Sequence, residues 1–378
     1  MRQNLTKRKF SIAKLLSEWL LPVLILVSLF LLLVYSGTAV NYMKKGLLLC
    51  ATALIPSLFP FMIISELIIK SGIGQKLSRL FRLPMRLLFG VSGSASSALI
   101  LGALCGFPIG TLTLVKMLDK GEIDKRELER IMTFCNVPGA AFIISTLGAS
   151  LLGNIKLGIL IYASILISSV IIGITCHFIY KKDRPRSQAV CSVKARITAT
   201  DFTDSVRSST LSILNVCAYV LFFSTLVGCI GSTITKFNLP EAMLSAIFGI
   251  FEMSSGVASA SALPNREHAV IMSAFIAGWS GISVHFQLIS VASGRNISFK
   301  PYLIAKIFQG VLSALITFLA IKILPDLLKS YSTVFLPQLD KEIGVYTSLS
   351  LALFLACALF LSFNWIKKRK IKNIIKKN

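Results

Sequence analysis

Charge is scarce in this chain, and acidic charge is scarcest. Only 15% of its residues are charged, against about 25% in ordinary soluble domains. Sixteen acids stand against 40 lysines and arginines. A soluble core is therefore excluded. Histidine is equally thin. His177, His268 and His285 are scattered, and no HExxH occurs, which removes the helical zinc-hydrolase pattern. GxSxG and GxxxxGK are also missing, so serine hydrolases and P-loop enzymes fall away. The eight cysteines (Cys50, Cys105, Cys135, Cys176, Cys191, Cys217, Cys229 and Cys357) make no CxxC or other metal spacing. Seven sit in apolar segments as small packing residues, and Cys191 sits in a basic loop as a reduced thiol. No catalytic residue, no metal and no cofactor is expected.

What is present is apolar. Hydrophobic residues make up 54% of the 378, and the mean hydropathy is +0.77. Between Glu18 and Lys44 lie 25 uncharged residues, enough to cross a roughly 30 Å hydrocarbon core. The net charge of +24 does not point to nucleic acid. The positive residues gather in the two tails and in short loops between apolar runs, which is the pattern that orients membrane proteins. The lipid bilayer is the expected partner, and nucleic acid is not. The basic start (Arg2, Lys7, Arg8, Lys9, Lys14) imitates a signal peptide, but the following run is too long and lacks a small-x-small site. It is expected to stay as a first helix.

The pattern predicts an all-α polytopic membrane protein. Spans are expected over 19–36, 46–69, 131–151, 155–180, 207–232, 242–262, 302–324 and 344–366. The domain plan is a basic tail 1–15, a first membrane repeat 16–180, a basic loop 181–206, a second repeat 207–366 and a basic tail 367–378. Both tails are expected in the cytoplasm. Two glycine-rich segments remain, 87–118 and 269–292. If each crosses once, the total is ten and the central basic loop lies outside. If each dips in and returns, about eight transmembrane helices remain, with two broken re-entrant gates, and every basic loop lies inside. The re-entrant reading is preferred. Broken backbone survives at membrane depth only where protein or a water-filled cavity satisfies it, so these segments are the place to seek a site.

The halves echo one another. The first carries Gly106-Phe107-Pro108-Ile109-Gly110 after a run of glycine and serine from Gly90 to Ser97 that includes Ser94. The second carries Gly278-Trp279-Ser280-Gly281-Ile282-Ser283-Val284-His285 after Ser254–Ser261. A short basic turn follows each, Lys120-Gly121 or Gly294-Arg295, and a glutamate precedes each, Glu66 or Glu252. This is an internal two-fold repeat, parallel by the charge count and inverted if the gates cross once. Gly102, Gly106 and Gly110 have the spacing that lets helices pack closely in lipid. Pro108 adds a break, and a broken helix end exposes N–H groups to an anion.

These residues resemble a known family. Gly106-Phe107-Pro108-Ile109-Gly110 with Lys120-Gly121-Glu122-Ile123, Phe134-Cys135-Asn136-Val137-Pro138-Gly139, and Ser280-Gly281-Ile282-Ser283-Val284-His285-Phe286-Gln287 resemble motifs of the sporulation integral membrane proteins of endospore-forming bacteria. That family carries two "gate" domains shared with concentrative nucleoside transporters, and the resemblance covers roughly residues 45–325. It implies a protein of the membrane around the forespore that passes dipicolinic acid, a flat dianion about the size of a nucleobase. The family's second motif usually has glutamine where His285 stands, and its asparagine-rich stretch is reduced here to Asn136.

The candidate substrate-binding residues are Ser94, Gly106, Pro108, Gly110, Asn136, Gly281, Ser283, His285 and Gln287. Glu252 and Lys116 are candidates for coupling or an ion pair. Lys116 otherwise snorkels to the surface, His285 packs, Glu252 bonds a neighbouring helix, Asn136 caps a helix, and Glu66 pairs with Lys70 four residues on. Competing functions are a nucleoside-type or other small-metabolite transporter and a structural membrane protein of the spore envelope. A homo-oligomer is left open.

Overall fold

The computed structural model describes residues 12–71, 80–180 and 197–328. The chain divides into two compact units, Met1–Lys329 and Ser330–Asn378; the second lies outside the described residues, as do the expected span 344–366, most of the central basic loop, Cys191 and Cys357. No strand occurs among the described residues. Long apolar sequence in lipid must satisfy its backbone within each segment, which leaves helices.

The first helix, α1 (Ile12–Val34), meets α2 (Ser36–Leu49), with the segments about Tyr35 bent by 98°. A wide π-type turn, Cys50–Leu54, carries α2 into α3 (Ile55–Lys70). After the undescribed stretch, α4 (Arg82–Phe89) turns by 100° at Gly90. Gly90 has φ +60, the left-handed end that glycine supplies without a Cβ penalty.

The first expected gate turns back on itself. Helices α5 (Ser96–Cys105) and α6 (Ile109–Asp119) flank Gly106-Phe107-Pro108. A Cβ on Gly102 would lie 3.3 Å from the Cα of Gly110, so the two arms touch backbone to backbone. A broken helix follows. Its first part, α7 (Lys125–Cys135), stops at Asn136, which is extended, residues 137–139 are not helical, and the chain resumes as the wide helix α8 (Phe142–Leu151). Pro138 has no N–H for a continuing helix and disfavours helical geometry at Val137. Then come α9 (Ile155–Ile179), capped by Asn154, and α10 (Ala199–Ile234), opened by a Thr198–Asp201 capping box.

The second half departs from the expected plan. The stretch 242–262, expected to cross once, is a second hairpin. Helix α11 (Glu241–Phe251) ends at Glu252 and α12 (Met253–Ser261) folds back along it. The Ser245 and Ser259 hydroxyls lie 2.8 Å apart, and a Cβ on Gly256 would lie 2.2 Å from the Cα of Gly249. The second expected gate, 269–292, does not return. Helix α13 (Arg266–Trp279) passes through a kink at Ser280, φ +80, into α14 (Gly281–Val291), and Arg266–Val291 is long and apolar enough to cross as one span. The start at Arg266 has a local cause, because the Asn265 side chain accepts from His268 N at 3.0 Å. The last long helix is α15 (Lys300–Ile323). Among the described residues, four helices are long and apolar enough to span a membrane, or up to six if each bent pair is one span.

The ties at the helix ends give the directions. At one end of the bundle, Arg295 grips Asp119 through two hydrogen bonds of 2.8 Å, Ser298 N donates to Glu129 at 2.7 Å, and Lys70 at the end of α3 reaches Asp201 O at the start of α10. At the other end, Arg266 donates to Leu152 O at 2.9 Å, Lys322 pairs with Glu267 at 2.9 Å, and Asn154 donates to Leu327 O. The first hairpin therefore has its base at the Asp119 end and the second at the Arg266 end. The broken helices α7–α8 and α13–α14 run in opposite directions, as do α9 and α15. The parallel arrangement expected from charge alone is replaced by an inverted one.

Candidate functional site

The interior site is built where the chain breaks. Gly106 at the first hairpin tip sits on the α7–α8 break: a Cβ there would lie 2.3 Å from Gly139 N. Phe107 N donates to Val137 O at 3.1 Å. Gly281 at the α13–α14 break sits on the second hairpin tip: its Cβ would lie 2.9 Å from Met253 N and 3.3 Å from Glu252. Each tip thus plugs the break of the following helix, and only glycine admits such contact. Helix α12 packs on α8 and α14 packs on α6, so the two tip-and-break pairs adjoin.

Asn136 is the hub of the first break. Its Nδ2 donates to Met132 O at 3.0 Å, and its Oδ1 accepts from the Thr111 hydroxyl at 2.9 Å. Its main-chain oxygen accepts from Lys306 Nζ at 3.1 Å. Freed carbonyls at a helix end must find donors when buried, and here Asn136 O and Val137 O both have them. Pro108 and Gly110 lie in the same knot. A Cβ on Gly110 would come within 3.1 Å of Asn136 Oδ1.

Lys306 was not among the residues singled out from sequence, because the run 302–324 reads as a plain span. It is 0% exposed and also donates to Gln309 Oε1 at 2.7 Å. Inserting a lysine at a helix centre costs roughly 2.5–3.5 kcal/mol on translocon scales, so such a residue calls for a reason. The signal was legible as one charge six residues into an apolar helix. It belongs to a buried polar stripe on α15 formed by Tyr302, Lys306, Gln309, Ser313 and Thr317, at the three-and-four spacing of one helix face.

His285 joins this stripe. Its Nδ1 lies 2.9 Å from the Tyr302 hydroxyl, its ring packs edge-on against Trp279 with centroids 4.4 Å apart, and its Nε2 is buried without a partner. Ser283 Oγ and Gln287 Oε1, on the same helix, are likewise buried and unpartnered. Helix α15 therefore ties one broken helix to the other, through Tyr302–His285 at the second and Lys306–Asn136 at the first.

The structure brings Gly106, Pro108, Gly110 and Asn136 together at one break, and Gly281, Ser283, His285 and Gln287 along the other. It separates Ser94, which opens the first hairpin near its base and bonds the Ser92 hydroxyl at 2.7 Å. Among the described residues no cation pairs with Glu252: its carboxylate caps α12, accepting from Ser254 N at 2.9 Å and Ser255 N at 2.6 Å. Lys116 ends on Glu66 of α3 in an ion pair, and Ser208 adds a bond to the same oxygen at 3.3 Å. Glu66 therefore does not pair with Lys70, which instead reaches Asp201 O and Asp204. The six described cysteines are free and buried.

The chain is 29% identical over 310 residues to the sporulation integral membrane protein YlbJ of Bacillus subtilis (strain 168). The match covers 73% of this chain and 76% of that protein. The resemblance to the sporulation integral membrane protein family is shown. With the apolar helices above, it supports a helical membrane protein, and the relative's name is that of a sporulation integral membrane protein, not of an enzyme family. No family model and no solved structure matches the chain.

Proposed function

We propose that this protein is a transporter of sporulation that moves a small anionic aromatic metabolite, dipicolinic acid, from the mother cell toward the forespore across the membrane that surrounds it. The observation that carries the reading is the pair of hairpins entering from opposite ends, each with its tip in the break of a crossing helix. Inverted repeats with broken helices at their contact are a recurrent plan of secondary transporters, which hold substrate at that contact. We read hairpin, broken helix and long helix as the repeated unit, 96–179 and 241–323.

Buried, unpartnered polar atoms on α14, Ser283 Oγ and His285 Nε2, supply donors suited to a flat dicarboxylate. The relative's sporulation name supports the setting. The Asp119 end carries Arg82, Arg86, Lys120, Lys125, Arg126, Arg295 and Lys300, whereas the opposite end has fewer, Lys156, Arg266 and Lys322 among them. By the positive-inside bias the Asp119 end faces the cytoplasm, and the helices flanking the central basic loop both end there.

The test is ligand binding by the purified chain. Dipicolinate is expected to raise the melting temperature in a saturable manner, and uridine is not. A shift with uridine alone would favour a nucleoside carrier. No shift with either, combined with normal dipicolinate in spores of a deletion strain, would favour a structural role in the spore envelope.

A further inference from the structure

The ammonium of Lys306 stands where a broken-helix transporter commonly places a free ion. Carbonyls at the C-terminal end of a half-helix are the negative pole of its dipole, and in transporters of this plan such carbonyls hold the coupling Na⁺ or H⁺. At the α7–α8 break the carbonyl of Asn136 is held instead by Lys306 Nζ, 3.1 Å away, from a residue 170 positions along the chain. Gln309 Oε1 holds the same ammonium at 2.7 Å. The side chain is 0% exposed and so does not snorkel. Among the described residues no carboxylate pairs with it. The Asn136 side chain is committed to Met132 O and Thr111, which leaves its main-chain oxygen to the lysine. The second break differs: there a carboxylate, Glu252, already caps the hairpin tip.

We propose that Lys306 is a cation tethered at the α7–α8 break, taking the place of an exchangeable metal ion, so that this break requires no alkali cation. The consequence for transport rests on the reading above, but the ion requirement of the fold does not.

The experiment follows melting of the purified full chain in sodium, potassium and choline chloride at equal ionic strength. The wild-type Tm is expected to be the same in all three. Lys306→Ala should melt lower in choline, and sodium or ethylammonium should raise its Tm in a saturable manner by filling the vacated place. Lys306→Met, which fills the space without charge, should melt low and stay low. A saturable rise of the wild-type Tm with sodium or potassium would overturn the proposal, and that measurement stands even if the variants do not fold. So would a Lys306→Ala that melts as wild type, or one that ignores every cation while losing the dipicolinate shift, since the lysine would then read substrate. Dipicolinate uptake by wild-type proteoliposomes should be equal in sodium and choline media. Uptake in neither counts against the transport reading alone, whereas uptake that needs sodium counts against the tethered cation.

Discussion

Single residues hold this interior together through polar contacts that lipid cannot replace. Asn136→Ala strips partners from the Thr111 hydroxyl and Met132 O at once. A buried group left without its partner costs about 1–3 kcal/mol, so a clear fall in Tm is expected, and an unchanged Tm would argue that water enters the break. Tyr302→Phe removes the hydroxyl at His285 Nδ1 and should weaken dipicolinate binding more than it lowers Tm, read by comparing the ligand shift with the ligand-free Tm. At the surface, the Arg295 guanidinium holds the Asp119 carboxyl below its usual 3.8. A carboxyl whose pKa is lowered on folding stabilises the fold above its unfolded pKa, and the effect fades as pH falls through the lowered value. Asp119→Asn should therefore cost a little Tm at pH 6, no more than ~1 kcal/mol for so exposed a pair, and nothing once pH falls well below about 4. Lys306 shows what escaped at this scale. One charge in a strongly apolar run was there to be read, but its partner, a main-chain oxygen on another helix, has no sequence signature.

At the scale of elements, the breaks were partly legible and the turns were not. Pro108 announces an interruption because proline cannot donate; the break at Pro138 went unread, since 131–151 was expected as one span. The first hairpin, Ser96–Asp119, overlaps the segment 87–118 that was expected to be broken at Pro108. The second hairpin has no proline at its tip. Its turn rests on the Glu252 carboxylate capping α12, and on Gly249 and Gly256 letting the arms touch. A glutamate in an apolar run reads equally as a coupling group, and 242–262 was expected to cross once, so the expected gate fell on the glycine-rich 269–292. The glycine contacts make a sharp prediction. Gly102→Ala and Gly256→Ala place a Cβ 2.1 Å from Cys135 O and 2.2 Å from the Gly249 Cα, against backbone that cannot yield. Overpacking costs typically 1–3 kcal/mol, and folded yield in detergent should fall accordingly. Gly37→Ala meets nothing within 4 Å and should leave yield unchanged.

On the scale of the whole molecule, composition alone established the membrane and the helical class. The relative direction of the halves was not in the charge pattern, because a segment that dips and one that crosses carry the same residues. It follows from contacts far apart in sequence, Arg295 with Asp119 at one end and Arg266 with Leu152 O at the other. Cysteines placed at Gly121 and at Asn265 should therefore be labelled from opposite faces of the membrane by an impermeant reagent, with Gly121 reached from the cytoplasm. Labelling of both from one face would return the halves to a parallel arrangement.

The central claim is that the two opposed hairpins form a passage for dipicolinate, and uptake into proteoliposomes tests it most directly. Vesicles holding the purified chain should fill with labelled dipicolinate faster than protein-free vesicles, unlabelled dipicolinate should compete, and uridine should not. Entry no faster than into empty vesicles, by protein that retains its native Tm, would contradict the account.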